Sequence, residues 1–495
     1  MKQKKFSSTK MAVIAAVCAI FVVFTACPAL FSDEKQVYSF GFTSPTAIGV
    51  INETAKTIAV DVPAGTNVTA LVPIITVSAR AIVSPASGVP MNFTNPVAYI
   101  VTAEDGSTVT YTVSVTVGGG GGGGGTEPTI LEGTIDANKT LPDLGLAVDY
   151  IVDGNINVNG NALLTVEPGV CIMFTSASNG ISVTANAGLR MVGTADKPIV
   201  ITGPTNNPNK GSWGRIDVRS NRPDNQFEHV HMINGGSGDA PYLAVVILWG
   251  QAKLSMKNCL IDGSLNNGVD SEGGATFTAF ENNTIKNCDK YPAYSEGGIY
   301  PYRNIKGNNT FIGNTKNYIY IAGNSAVNED MTIARLSIPY YFAGGLTIAD
   351  NYTTTVEPGT TMLLGANNRI EVQSNAIFVA EGTPTERITI RGFMDEPGYC
   401  QGVRVRSTRS GNKLNYCDIS CGGKEAGYST NNVVYLYTGV RIEMKNITIS
   451  KSYQYGVSIE NSNNIHITHE NVNFIACDLG NVWHENDNSV HSELP

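Results

Sequence analysis

Residues 150–169 read YIVDGNINVNGNALLTVEPG, and residues 340–359 read YYFAGGLTIADNYTTTVEPG. The two superpose without a gap at an offset of 190. Leu164-Thr165-Val166-Glu167-Pro168-Gly169 meets Thr354-Thr355-Val356-Glu357-Pro358-Gly359. Outward from this stretch the match persists with slight drift. Gly193-Thr194 meets Gly382-Thr383, and Ile199-Val200-Ile201-Thr202-Gly203 meets Ile388-Thr389-Ile390-Arg391-Gly392. Asn234-Gly235-Gly236 meets Cys421-Gly422-Gly423, Met256-Lys257-Asn258 meets Met444-Lys445-Asn446, and Gly268-Val269 meets Gly456-Val457. Two halves of one internal plan form a repeat architecture.

A shorter period runs inside each half. Ser271-Glu272-Gly273-Gly274 recurs as Ser295-Glu296-Gly297-Gly298, Asn282-Asn283-Thr284 recurs as Asn308-Asn309-Thr310, and Asn446 is echoed by Asn471. Segments of strand character are only three to five residues long, such as Cys171-Ile172-Met173-Phe174, Ile181-Ser182-Val183 and Ile216-Asp217-Val218. Coils of about 22 to 28 residues holding three short strands are the unit of a right-handed parallel β-helix, in which each coil hides its inward side chains against the next. A β-propeller wants repeats of about 40 to 50 residues and fits badly. Recurrent Asn suits turns that need left-handed backbone, and stacked amides can bond along a solenoid; Asn258, Asn283 and Asn309 are candidates for such a ladder.

Composition agrees. Of 495 residues only 15% are charged, 52 are Gly and 47 are Asn, which disfavours a helical protein. The net charge of -9 excludes a nucleic-acid binder, since nothing neutralises a run of phosphates. The fold class expected is all-β.

The N-terminus reads as an address. Lys2, Lys4, Lys5 and Lys10 precede an apolar run from Met11 to Phe24, which is short for a membrane span and right for a signal peptide. Phe24-Thr25-Ala26-Cys27 resembles the bacterial lipobox, with Phe24 where Leu is usual. The resemblance implies a signal peptide over 1–26, lipid attachment at Cys27, an acidic linker over 27–35 and an outer-membrane, surface-exposed lipoprotein. Residues 36–117 alternate on a two-residue period, as in Thr57-Ile58-Ala59-Val60-Asp61-Val62, at the spacing of a small β-sandwich. Phe93-Thr94-Asn95-Pro96-Val97 and the strand after it resemble a cadherin-like or immunoglobulin-like module, implying a spacer or binding domain. Eight consecutive glycines, 118–125, make a flexible tether reaching roughly 15 Å. The β-helix then occupies 126–495, its halves about 126–315 and 316–495.

In that region Glu167-Pro168-Gly169, Gly193-Thr194, Pro198-Ile199, Trp213-Gly214 with Ile216, and Phe227 with His229 and Met232 resemble the pectin-lyase-like β-helix proteins of bacterial envelopes. That family spans polysaccharide lyases, glycoside hydrolases and surface proteins, so the fold does not choose among them. The paired Asp residues, Gly-His-Gly and Arg-Ile-Lys of its hydrolases are missing here. Asn481-Val482-Trp483-His484-Glu485 is similar in part to a pectate-lyase motif but lies beyond the last clear coil, and no role is assigned to it.

Alternation turns Arg215, Asp217 and Arg219 outward together, with Glu228 and His231 on the following strand. Arg404 and Arg406, with Asn415 and Asp418, repeat the arrangement. Arg beside a carboxylate could bind an acidic sugar and abstract a proton; a solvated face of ion pairs is the plainer reading. Tyr300, Tyr302, Tyr318 and Tyr320 fall in a Tyr-rich stretch at the junction of the halves, able either to stack on sugars or to plug the seam. His229 is expected to be packed, and His466 and His469 exposed. No metal site and no cofactor are expected. Seven Cys follow Cys27, an odd number read as buried thiols. The expected function is an envelope protein that binds polysaccharide or another surface ligand without catalysis, attached to the membrane by its lipid. The alternatives are a polysaccharide lyase or glycoside hydrolase, and a structural stalk or adhesin.

Overall fold

A computed structural model describes residues 32–117 (except 64 and 79), 127–238, 243–423 and 432–495. The expected signal segment, Cys27 and the glycine tract lie outside the described residues.

The N-terminal module has eight strands in two sheets. Its longest pairing is antiparallel, Val97–Thr102 against Thr108–Val117, with Tyr99 opposite Tyr111. The turn between them forms because Asp105 Oδ1 accepts the Ser107 N–H at 2.8 Å and Gly106 takes φ +84°. Inward residues build an aromatic core in which Phe40 meets Tyr99 edge-on at 5.3 Å and Phe93 at 6.3 Å.

The second unit is a parallel β-solenoid of about 14 turns. Each full turn offers three short strands, and each strand pairs in parallel with its counterpart one turn on. Cys171–Phe174, Ile181–Val183 and Gly188–Val192 make one turn, and Ile199–Thr202, Ile216–Val218 and Gln226–Glu228 make the next. Their registers set Cys171 opposite Val200, Ile181 opposite Ile216, and Arg190 opposite Gln226. These three ladders are the first, second and third faces. Inward aliphatics stack into a single column, such as Ile156, Ile181, Ile216, Val246 and Val269 on the second face, all buried. Each such side chain contributes about 1.5–3 kcal/mol relative to exposure.

The repeated Glu-Pro-Gly is a turn. Val170 donates its N–H to the Glu167 carbonyl, Thr360 does the same to Glu357, and Gly169 and Gly359 sit at φ +93° and +79°. Pro before a positive-φ Gly is the type II signature. Sharper corners spend one left-handed residue: His229, Asn258 and Asn282 at φ +48° to +56° in the first half, Tyr416, Asn446 and Asn471 at +50° to +54° in the second. His229 and Tyr416 are therefore corner residues. Asn283 and Asn309 do form a buried ladder. Asn283 Oδ1 accepts the Cys259 N–H at 3.0 Å, and Asn309 Oδ1 accepts the Asn283 N–H at 2.9 Å. Asn258 is not in it; it belongs to the left-handed corner column instead.

One relation concerns the duplication. Tyr150–Val158 begins on the first face, pairing with Cys171–Phe174, whereas its sequence match Tyr340–Phe342 lies on the second face, pairing with Thr361–Leu364. Ile216–Val218 is on the second face, and its match Gly402–Val405 is on the third. The second half is thus advanced by one face around the solenoid.

The seventh turn lacks its third strand. A 3₁₀ turn, Tyr300–Tyr302, replaces it and sends Tyr302 inward, where its ring stacks on Phe277 at 5.7 Å and its hydroxyl donates to the Tyr294 carbonyl at 2.7 Å. At the C-terminus Ser489–His491 folds back antiparallel on Gly480–His484, and Leu494 joins the core. The Asn481–Glu485 segment therefore belongs to a true coil, the last one. Cys171, Cys259, Cys288, Cys400, Cys417 and Cys421 are buried free thiols, Cys477 is half-buried, and the described residues hold no disulfide.

Candidate functional site

The middle residue of each second-face strand points outward, because its neighbours on both sides point into the core. Parallel register then stacks one such residue per turn, about 4.8 Å apart. Reading along the solenoid, the column runs Asp217, Ile247, Asp270, Tyr294, Tyr320, Tyr341.

At the Asp217 end, Arg215 Nε reaches both carboxylate oxygens, at 3.0 and 3.1 Å. The Trp249 indole donates to Asp217 Oδ1 at 2.9 Å, and the Arg219 guanidinium lies 4.9 Å from that ring's centre. Arg215 and Asp217 line a groove of about 690 Å³ with Asn155, Asn157, Ser178 and Ser182. His231 is not part of this group. The left-handed corner at His229 turns Val230–Ile233 onto the first face, where His231 stands opposite Val200 and Leu260. Burial pushes its imidazole down to about 4. The cluster expected from sequence is therefore split among three faces, because Glu228 lies on the third.

The middle of the column gathers carboxylates. Asp270 is fully buried, and burial, then the Glu272 charge, pushes its carboxyl up to about 8. Burial and Glu296 push Glu272 up to about 7. Asn267 Nδ2 donates to Asp270 Oδ2 at 3.4 Å, but Asp270 Oδ1 and Glu272 Oε1 have no hydrogen-bond partner among the described residues. The Tyr294 hydroxyl donates to Glu296 Oε2 at 2.6 Å. This group was not anticipated, although its signal was present: the Ser-Glu-Gly-Gly recurrence sets Glu272 and Glu296 one turn apart.

Beyond it lies a continuous patch of half-buried rings. Tyr294 stacks on Tyr320 at 5.0 Å, Tyr291 sits 4.8 Å from Tyr320, and Tyr341 meets Tyr320 edge-on at 5.3 Å. Tyr318 and Tyr341 both contact Phe393, and the Lys316 ammonium lies 4.8 Å from the Tyr291 ring centre. Tyr318 and Tyr320 are half-buried on this outer surface. Tyr300 is half-buried beside this patch in sequence, its hydroxyl accepting the Asn328 N–H at 2.9 Å. Tyr302 must be corrected: at 1% exposure it fills the core and meets no ligand.

Arg404 and Arg406 occupy the third face, not a repeat of the second. Glu371 accepts from Arg369 at 2.5 Å and Arg406 at 2.6 Å, and the Arg406 guanidinium lies 3.7 Å over Tyr437. Arg404 is 8% exposed and packs over Tyr435, whose hydroxyl donates to Glu485 at 3.0 Å. Both guanidiniums are built into a packed ionic and aromatic layer. His466 and His469 are exposed.

Residues 37–115 match the family model described as SGBP, N-terminal, and residues 133–242 match the pectate-lyase like beta helix domain. The chain thus joins an SGBP N-terminal domain to a pectate-lyase-like β-helix. No curated protein matches it. Among solved structures, a candidate glycoside hydrolase from Bacteroides thetaiotaomicron is 32% identical, covering 17% of this chain and 24% of its own, with a TM-score of 0.16. A candidate secreted protein from Bacteroides fragilis is 20% identical, covering 17% of this chain and 95% of its own, with a TM-score of 0.15. This chain spans about a quarter of the first protein's length.

Proposed function

We propose that the protein is a surface glycan-binding lipoprotein whose second solenoid face holds an extended, neutral polysaccharide. The observation that carries this reading is the in-register tyrosine patch, with Tyr294 stacked on Tyr320 and Tyr341 following one turn on. Sugar rings present apolar C–H faces that pack on aromatic planes, and their hydroxyls donate to carboxylates. Glu272 and Glu296 supply such acceptors next to the rings, and the acidic chain disfavours an acidic glycan. The match of the first domain to the SGBP family supports binding at a surface, and the apolar run from Met11 to Phe24, followed closely by Cys27, supports attachment by lipid.

A second reading rests on Asp270 and Glu272. Carboxyls held protonated near neutral pH are what a glycosidase needs as its acid. Affinity electrophoresis of the full chain in gels of neutral and acidic polysaccharides, with reducing-end and unsaturated-product assays on the same glycans, separates the two. Retardation by a neutral glycan without new chain ends supports binding. New chain ends lost in Glu272→Gln support hydrolysis. No retardation in any gel defeats the glycan-binding reading.

A further inference from the structure

The C-terminal hairpin carries ionisable groups that the tyrosine face does not use. In Gly480–His484, Val482 and His484 are the inward residues. The returning strand Ser489–His491 sets His491 opposite Val482, so the two imidazoles meet with ring centres 4.0 Å apart. The turn between the strands, with Asn488 at φ +56°, brings Asp487 to the same place. One donor atom from each of His484, Asp487 and His491 lies within 4.8 Å of the other two. A second, independent feature points to a ligand. His484 is only 6% exposed, yet its Nε2 has no hydrogen-bond partner among the described residues.

We propose that His484, Asp487 and His491 bind one divalent transition-metal ion of the Zn²⁺ type, with water completing a tetrahedron. Two imidazoles and a carboxylate are the donor set this class of ion takes, whereas Ca²⁺ and Mg²⁺ want oxygen throughout. Ser489 Oγ lies 2.5 Å from His491 Nε2 and bonds Asp487 Oδ1, gathering both exposed ligands toward the buried one. Ligation at about 2.0–2.2 Å requires those two side chains to close in, and their exposure leaves them room. The ion would clip the antiparallel end strand to the last parallel turn, at the end of one solenoid sheet.

The test is titration of the full chain, purified without a histidine tag, with ZnCl₂ by calorimetry and by thermal melting. One ion per chain and a raised melting temperature are expected. His491→Ala and Asp487→Asn alter exposed side chains, so without metal they should melt like the parent. Each should weaken Zn²⁺ binding by roughly 100-fold or more and abolish the thermal shift. Should either variant fold poorly, Co²⁺ absorption provides a second readout: tetrahedral d–d bands in the parent, absent from His466→Ala/His469→Ala only if the site lies there. Absence of one-to-one binding, retention of binding in the Asp487→Asn/His491→Ala double variant, or loss of the Co²⁺ bands in the His466/His469 variant overturns the assignment.

Discussion

Tyr294 and Tyr320 stand directly opposite each other on neighbouring turns, and their rings stack 5.0 Å apart, only 5° from parallel. Both are half-buried, so each presents one edge of a shared platform. Tyr320→Ala should therefore weaken polysaccharide binding about tenfold, or about 1.4 kcal/mol. It should change the melting temperature little. Parallel calorimetry and melting of the variant check both statements, and a large loss of stability with unchanged affinity would make the patch a packing device.

Tyr302 gives the converse. Its ring lies against Phe277 and Phe280 where a strand is missing. Tyr302→Ala should cost about 3–5 kcal/mol of stability through the cavity it leaves, read by denaturant unfolding of the solenoid. Tyr302→Phe removes only the bond to the Tyr294 carbonyl and should cost about 1 kcal/mol.

Asp270 predicts a pH dependence. Its carboxyl titrates near 3.8 when unfolded and about 8 when folded, mainly because it is buried. The folded state then holds the extra proton between those values, so stability is full below about 4 and declines as pH rises through about 8. Melting temperature should fall from pH 5 to pH 8.5, by the equivalent of a few kcal/mol. Asp270→Asn keeps the shape without the proton and should flatten the profile; an unchanged slope would remove Asp270 as its cause.

The corner residues separate backbone roles from side-chain roles. Asn283→Ala leaves the buried Cys259 N–H and the Met256 carbonyl without their partner and should cost about 1–3 kcal/mol. His229 sits at φ +48°, a conformation Asn and Gly tolerate better. His229→Asn should leave stability unchanged or raise it by up to about 1 kcal/mol, with no effect on any ligand. Chemical denaturation resolves both, and a functional defect in His229→Asn would contradict the corner role.

The parallel coil was legible because the type II turn at Glu167-Pro168-Gly169 and the stacked Asn283 and Asn309 leave fixed marks in the sequence. Alternation likewise told inside from outside for Ile216, Asp217 and Val218. It could not tell one face from another. The loop after Val218 carries Glu228 onto the third face and the left-handed corner at His229 carries His231 onto the first, and nothing in a two-residue period registers such corners. Nor does alternation survive a missing strand, which is why Tyr302 reads as a neighbour of Tyr300 but ends in the core. The Asp270, Glu272 and Glu296 group depends on turns stacking in register, and its recurrence was visible while its burial was not. His484, Asp487 and His491 converge only because the final strand reverses direction, which no earlier coil does among the described residues.

The advance of the second half by one face sets the geometry in which multivalency can operate. Matching sequence on the two halves looks out in directions a third of a turn apart, so a straight polymer lying along the second face meets Asp217 and Trp249 in one half and entirely different side chains in the other. A ligand engaging equivalent positions on both halves would have to wind about the fibre. Each added copy of the unit would rotate its inherited surface by one more step, and a fourth copy would bring the first orientation round again. Duplication in this molecule therefore diversified what a linear partner encounters, where an integral number of turns would have doubled a single site.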